Sequence, residues 1–259
     1  MPPGNPRPAI GLGRDFARAL DPVQLAIDCG VTPDAWQAGV LRSEERKQLL
    51  LCSRQSGKST TVALRALHAA LYQAPAMVLM VSPSQRQSGE LFRKLVGFWR
   101  ELPGAVEAEQ ESLTSLRLKN GSRVISLPGT EATVRGYSGA TLILLDEAAR
   151  VADDLIAALR PSLATTGGQM IALSTPAGMR GWFFETWQTG QDWERVRIAA
   201  SDCPRISQEF LDDERRNLGE HVFGQEYLCQ FYEPEMAVFG ADLIEKAFQN
   251  DFEPFFAAA

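Results

Sequence analysis

Leu49-Leu50-Leu51-Cys52-Ser53-Arg54-Gln55-Ser56-Gly57-Lys58-Ser59 joins an apolar run to a short polar loop, and a helix-forming run follows it. A strand that stops there leaves backbone N–H groups to wrap an anion, while the next helix points its positive end at the same charge. The spacing places Lys58 at the β- and γ-phosphates of a nucleoside triphosphate and the Ser59 hydroxyl on Mg²⁺. Ser53, Arg54, Gln55, Ser56, Gly57 and Thr60 complete the expected nucleotide-binding stretch. The loop departs twice from the generic pattern: Cys52 stands where a glycine usually opens it, and Arg54 is a long cation where small residues are usual. The following helix is expected to bury Val62, Ala63, Ala66, Leu67, Ala70 and Leu71, leaving Thr61, Arg65 and His68 on its surface.

Partners for the loop lie downstream. Leu142-Ile143-Leu144-Leu145 reads as a strand buried on both faces of a parallel sheet, and it ends in Asp146-Glu147. Ile171-Ala172-Leu173 repeats the arrangement and ends in Ser174-Thr175-Pro176. Open α/β sheets bind ligands beyond the carboxyl ends of their strands, so the three polar ends are expected to meet around one nucleotide. Asp146 suits a Mg²⁺ ligand, and Glu147 suits a base that orients and deprotonates a water attacking the γ-phosphate.

Composition bounds the alternatives. At 259 residues and 45% hydrophobic content, one large α/β domain with a small appendage fits. Cys29, Cys52, Cys203 and Cys229 show no paired metal spacing, and His68 and His221 are the only histidines, which argues against a zinc site or a disulfide framework. No apolar run reaches membrane-spanning length, and the Pro- and Gly-rich start lacks the order of a secretion signal. An intracellular protein without a membrane partner is therefore expected. A net charge of −6 gives no bulk attraction to nucleic acid, so any DNA contact must be a local patch.

Along the chain, residues 1–30 are expected as a lead, flexible through about residue 20, followed by a short helix carrying Trp36 and Gln37. A strand at 76–82 precedes a helix over 85–101, whose Arg86, Arg93, Lys94 and Arg100 form a basic ridge interleaved with Glu90 and Glu101. Asn120-Gly121 marks a hairpin turn, Arg195-Val196-Arg197-Ile198 an edge strand, and residues 207–231 two helices burying Phe210, Leu211, Leu218, Phe223, Tyr227, Leu228 and Phe231.

The arginine-bearing loop 53–59, Leu142 to Glu147, Ser174-Thr175-Pro176 and the region from Phe210-Leu211 to Gln225-Glu226-Tyr227 together resemble the ATPase part of the large terminase, the DNA-packaging motor subunit of tailed bacteriophages. The resemblance spans residues 30–248 and implies an α/β fold: a mainly parallel, RecA-like P-loop sheet at 31–200 flanked by helices, with a small helical lid subdomain at 201–250 and a tail at 251–259. It implies ATP and Mg²⁺ as ligands, hydrolysis that drives double-stranded DNA into a procapsid, a homo-oligomeric ring on a portal, a small terminase partner and the host cytoplasm as location. It also implies that Gln37 reads adenine, that Ser174, Thr175 and Pro176 couple hydrolysis to movement, and that Arg54 senses nucleotide state. Arg135 would be offered to a neighbouring subunit's ATP, where such an arginine contributes about 10³–10⁵ in rate. The nuclease domain of a complete large terminase is expected to be absent, because no stretch of residues remains for it. Two other readings fit parts of the pattern. One is a helicase-like DNA-dependent ATPase, although no histidine is followed by the arginine of a second helicase domain; the other is a weakly hydrolysing nucleotide-binding assembly module.

Overall fold

The apolar runs and polar turns resolve into an eight-stranded sheet with helices on both faces, seen in a computed structural model that describes residues 10–233. The first nine residues of the lead, residues 234–250 of the expected lid and the expected tail at 251–259 lie outside the described residues. Helices α1 (Leu12–Leu20), α2 (Pro22–Asp28) and α3 (Ala35–Arg42) precede β1 (Lys47–Cys52) and α4 (Lys58–Tyr72). Then come β2 (Met77–Ser82), α5 (Gln85–Glu101), β3 (Ala108–Glu111), β4 (Ser115–Leu118) and β5 (Arg123–Pro128). The one-turn α6 (Glu131–Val134), β6 (Leu142–Asp146), α7 (Asp153–Leu159), β7 (Gln169–Ser174), α8 (Gly181–Thr189), β8 (Glu194–Ile198) and α9 (Gln208–Leu228) complete the described chain.

The strand order is β3-β4-β5-β2-β6-β7-β1-β8. The strands from β5 to β8 in that order are parallel, and β3 and β4 extend the sheet antiparallel beyond β5. Side chains alternate between two cores, as a pleated sheet covered on both faces requires. Leu50, Val78, Leu142, Leu144 and Leu173 face α4 and α5, whereas Leu49, Leu79, Ile143, Leu145 and Ala172 join Leu155, Ile156 and Phe183 of α7 and α8. Cys52, the residue that replaces the loop's first glycine, is the last residue of β1 and belongs to the α4-side core. Burial pushes its thiol up to about 12. Among the described residues no helix is long and apolar enough to cross a membrane, and the four cysteines are free and buried.

Several expectations need correction. The lead is not flexible throughout, because α1 and α2 occupy residues 12–28. Leu12, Phe16 and Leu20 face outward, and the inward anchor of α1 is Arg18, which donates to Asp28 and, at 2.7 Å, to the carbonyl oxygen of Pro103. A hydrophobic pattern cannot reveal a helix held by a buried charge. Thr61, Arg65 and His68 are buried rather than on a surface, since α2 and α3 cover that flank of α4. Burial lowers His68 to about 4. Leu218 is exposed, since α9 kinks beside it at Gly219, where φ is 73°. Strand β3, Ala-Glu-Gln-Glu, was not anticipated, because an exposed edge strand of charged residues has no apolar alternation. The basic ridge of α5 is largely paired: Arg93 with Glu90, Arg100 with Glu111 at 2.5 Å, and Lys94 with the Thr60 hydroxyl at 3.3 Å.

Gly168 sets the approach of β7 to β6. A Cβ there would press into the carbonyl oxygens of Ala140 and Thr141, and the adjacent Gln169 N–H bonds the same Thr141 oxygen at 2.9 Å. Gly168→Ala is therefore expected to lower unfolding free energy by about 1–3 kcal/mol through overpacking against rigid backbone. Urea denaturation checks it, with the midpoint falling and the slope unchanged.

Candidate functional site

Because β7 lies between β1 and β6, the ends of these three strands sit side by side, with Leu51 paired to Ser174 and Leu173 paired to Asp146. The loop after β1 is fastened on two sides. Ser53 N–H donates to Ile198 of β8 at 2.9 Å, and Arg54 N–H to the carbonyl oxygen of Glu226 in α9 at 2.8 Å. Inside it, the Ser56 hydroxyl donates to the Ser53 carbonyl oxygen at 2.9 Å. Gln55 (φ 58°) and Gly57 (φ 95°) take left-handed conformations, which curl the backbone so that successive N–H groups converge. Gly57 is also required by space, since a Cβ would lie 2.6 Å from the Gln37 amide nitrogen and 3.0 Å from Arg205. Lys58, Ser59 and Thr60 then form the first turn of α4, where unpaired backbone N–H groups and the helix dipole favour an anion.

Lys58 Nζ lies 3.4 Å from Glu147 Oε1. Ser59, Asp146, Glu147, Gln87 and Lys94 line one cleft of about 290 Å³ beside the loop. Asp146 has the strand parity of Leu142 and Leu144, on the α4 side, and is almost fully buried. Burial, and next the Glu147 charge, push its carboxyl up to about 6, against a smaller opposing pull from Lys58. Glu147 turns out of the strand in a left-handed conformation (φ 51°), and its other oxygen accepts from Arg150 Nη1 at 2.6 Å. The same Nη1 reaches the Thr175 hydroxyl at 3.0 Å, while Pro176 follows just beyond the end of β7. The Ser53 and Ser174 hydroxyls, both fully buried at these strand ends, have no hydrogen-bond partner among the described residues. Orphaned donors, a helix N-terminus and a carboxylate-hydroxyl pair form a set suited to phosphate oxygens and a hard cation. Among the described residues no cluster of three or more His, Cys, Asp or Glu side chains could hold a metal by itself, so a cation here would take water and phosphate oxygens as further ligands.

The remaining expected residues are placed less directly. Gln37 is buried against the loop, with Nε2 donating to Thr61 Oγ1 at 3.1 Å and Oε1 accepting from Asp34 N–H at 2.9 Å, so its amide is engaged within the protein. Arg54 is not among the residues lining this cleft and pairs with Glu226 at 2.7 Å. Arg135 is exposed and lines a different cleft of about 770 Å³, with Tyr137, Ser138, Asp154 and Pro161, which contains no residue of the phosphate loop. Three residues were missed from sequence. Arg205 caps the loop, donating to the Ser56 carbonyl oxygen at 2.8 Å and pairing with Asp34 at 2.9 Å. Glu226 contacts Arg54 and Arg150, and Arg150 contacts both Glu147 and Glu226. The i,i+3 spacing of Glu147 and Arg150 was the one signal available; the others lie far apart in the chain.

The sequence profile described as "Terminase large subunit, T4likevirus-type, N-terminal" matches residues 49–246. A large terminase subunit of Thermus virus P23-45 is 25% identical over 253 residues, covering 83% of this chain and 52% of its own. The chain thus spans about half the length of the curated relatives it matches. Among solved structures, the Thermus phage P74-26 large terminase ATPase domain superposes with a TM-score of 0.69 at 21% identity, covering 80% of this chain and 97% of that one. The large terminase of a thermophilic bacteriophage, solved in complex with ATP-gamma-S, gives 0.60 at 16% identity, covering 76% and 52%. These likenesses show a shared RecA-like α/β fold, the one expected.

Asp146 holds its proton more tightly folded than at its ordinary value of 3.8. Stability from this group is therefore fully present at low pH and is lost as pH rises from about 4 through about 6. In buffer free of nucleotide and Mg²⁺, Asp146→Asn is expected to stabilise the protein by up to about 3 kcal/mol at pH 8 and by less at pH 4.5. Denaturation at the two pH values measures it, and no gain at pH 8 would contradict a costly buried charge.

Proposed function

Because this chain belongs to the N-terminal family of T4-like terminase large subunits, we propose that it is the ATPase motor domain of a viral large terminase. The supporting observation is the convergence of Lys58, Ser59, Asp146 and Glu147 at neighbouring strand ends, with Lys58 and Glu147 3.4 Å apart. In this reading the loop amides and the α4 N-terminus hold the β- and γ-phosphates, and Lys58 neutralises charge that develops on the transferring group. Ser59 and Asp146 would hold Mg²⁺, which supplies further neutralisation of phosphate oxygens when bound. Glu147 orients a water in line with the γ-phosphate and accepts its proton.

Residues 31–200 act as the ATPase core and residues 201–250 as the lid. Gln37 selects the base, Arg54 responds to nucleotide state, and Ser174, Thr175 and Pro176 pass hydrolysis to movement of double-stranded DNA. Arg135, exposed on a cleft that holds no residue of the phosphate loop, acts on a neighbour's ATP in a ring on a portal, with a small terminase subunit delivering DNA in the host cytoplasm. The structural relative that carries ATP-gamma-S supports ATP as the ligand of this chain too.

Glu147→Gln is expected to keep nucleotide affinity within a few-fold while lowering phosphate release by about 10²–10⁴, and Lys58→Ala to weaken both binding and turnover. Wild-type turnover should rise steeply with protein concentration and recover when Arg135→Ala and Lys58→Ala subunits are mixed, because each supplies what the other lacks. Unchanged phosphate release by the Glu147→Gln protein removes Glu147 from this role, and a flat, near-zero rate with intact ATP binding removes the ring motor.

A further inference from the structure

We propose that Arg150 is a positioning residue that holds the Glu147 carboxylate and carries the state of the phosphate site to α9. The proposal rests on the nucleotide-hydrolysis reading above. Five side chains alternate in sign across the site: Lys58, Glu147, Arg150, Glu226 and Arg54. Their successive separations are 3.4, 2.6, 3.5 and 2.7 Å. Arg150 is the middle member and the one that spans three elements. Its Nη1 serves Glu147 in the turn after β6 and Thr175 beyond β7, while Nη2 serves Glu226 in α9. Only a planar fork of several donors can satisfy three acceptors in fixed directions; a lysine offers a point charge instead.

Both ends of this chain of charges, Lys58 and Arg54, belong to the phosphate loop and its helix. Three cations and two carboxylates leave it with one net positive charge. A triphosphate attracts the two end cations, and each is then shared with phosphate oxygens. Glu147 and Glu226 are left with Arg150 as their common cation. Glu147, Glu226 and Lys58 have side chains 20%, 11% and 12% exposed, so solvent screens these attractions less than on an open surface. Any loosening of Arg54 from Glu226 therefore strengthens the pull of Arg150 on Glu226 and on the α9 segment that bears it.

That segment follows a kink in the helix. At Gly219 α9 is already non-helical (φ 73°, ψ 163°), and a Cβ added there would meet nothing within 4 Å. Across the kink residues 220–228 pack back on 208–218, with Phe223 and Tyr227 against Leu211 and the Tyr227 hydroxyl donating to Glu214 at 2.7 Å, so a pull on Glu226 is felt by both halves of α9. Arg150 thus sets where the Glu147 oxygen sits for water activation and makes that position depend on α9.

The test uses Arg150→Ala, Arg150→Lys and Glu226→Gln, each checked for folding by circular dichroism. Calorimetry with Mg²⁺-ATP-gamma-S, steady-state kinetics, and hydrogen–deuterium exchange across residues 170–176 and 208–228 are then measured. Arg150→Ala is expected to bind ATP-gamma-S within about threefold of wild type, to lose about 10²-fold in kcat at similar KM as a misplaced reacting group does, and to lose the nucleotide-dependent protection of 208–228. Arg150→Lys should recover part of kcat but not the protection, and Glu226→Gln should lose the protection while retaining most of kcat. Should Arg150→Ala misfold, the other two variants decide by the same protection. Wild-type kcat and protection in Arg150→Ala, or wild-type protection in both Arg150→Lys and Glu226→Gln, overturns this proposal alone. Absence of ATP-gamma-S binding by the wild type overturns the nucleotide reading and this proposal with it.

Discussion

The insertion of β7 between β1 and β6 is the constraint on which the rest of the site depends. Parallel strands present their carboxyl ends at one edge, and neighbouring strands lie about 4.8 Å apart. Placing three such ends in succession confines the phosphate loop, Ser174-Thr175-Pro176 and Asp146-Glu147 to one strip of the sheet edge. Lys58 then reaches Glu147 although they are far apart in sequence. The two-sided core holds this order, because each strand buries alternate residues against α4 and α5 on one face and α7 and α8 on the other.

A strip of strand ends built this way concentrates charge in a partly covered place, and the protein meets that cost in two ways. Asp146 is buried with its carboxyl pushed up to about 6, an unfavourable arrangement for an ionised group until a cation shares it. Glu147 is instead held between Lys58 and Arg150, and its left-handed backbone turns it out of the strand that buries Asp146. Adjacent carboxylates are thereby given different surroundings, as the proposed ligand role of Asp146 and proton-transfer role of Glu147 require. The buried Ser53 and Ser174 hydroxyls, without partners among the described residues, suit the anion of the proposed function.

Family membership places this chain among terminase large subunits, and the chain spans about half the length of the curated relatives it matches. Within the described part, the distribution of arginines is informative. Arg54 and Arg205 bracket the phosphate loop through Glu226 and Asp34, and Arg150 joins the loop's opposite shore to α9. Arg135 stands apart from all of them, on the α7 side. Such a division suits the ring proposed above, in which the first three arginines would tune a subunit's own nucleotide and Arg135 a neighbour's.

Much of this architecture was legible in the residues themselves. Continuous apolar runs ending in polar residues marked β1, β6 and β7, and Gly57-Lys58-Ser59 and Asp146-Glu147 marked their ends, because burial on both faces forbids charge until a strand stops. Asn120-Gly121 marked the hairpin between β4 and β5 through backbone freedom alone. The sequence by itself determined β1, β6 and β7, the loop after β1 and which polar residues stand at their tips, since these follow from local composition and period. Only the tertiary structure decided the burial of Arg18, Arg65 and His68 and the seating of Arg205 on Ser56. It also decided the line from Glu147 through Arg150 to Glu226, because ion pairs between residues distant in the chain depend on which elements the sheet order brings together, and no local period records that.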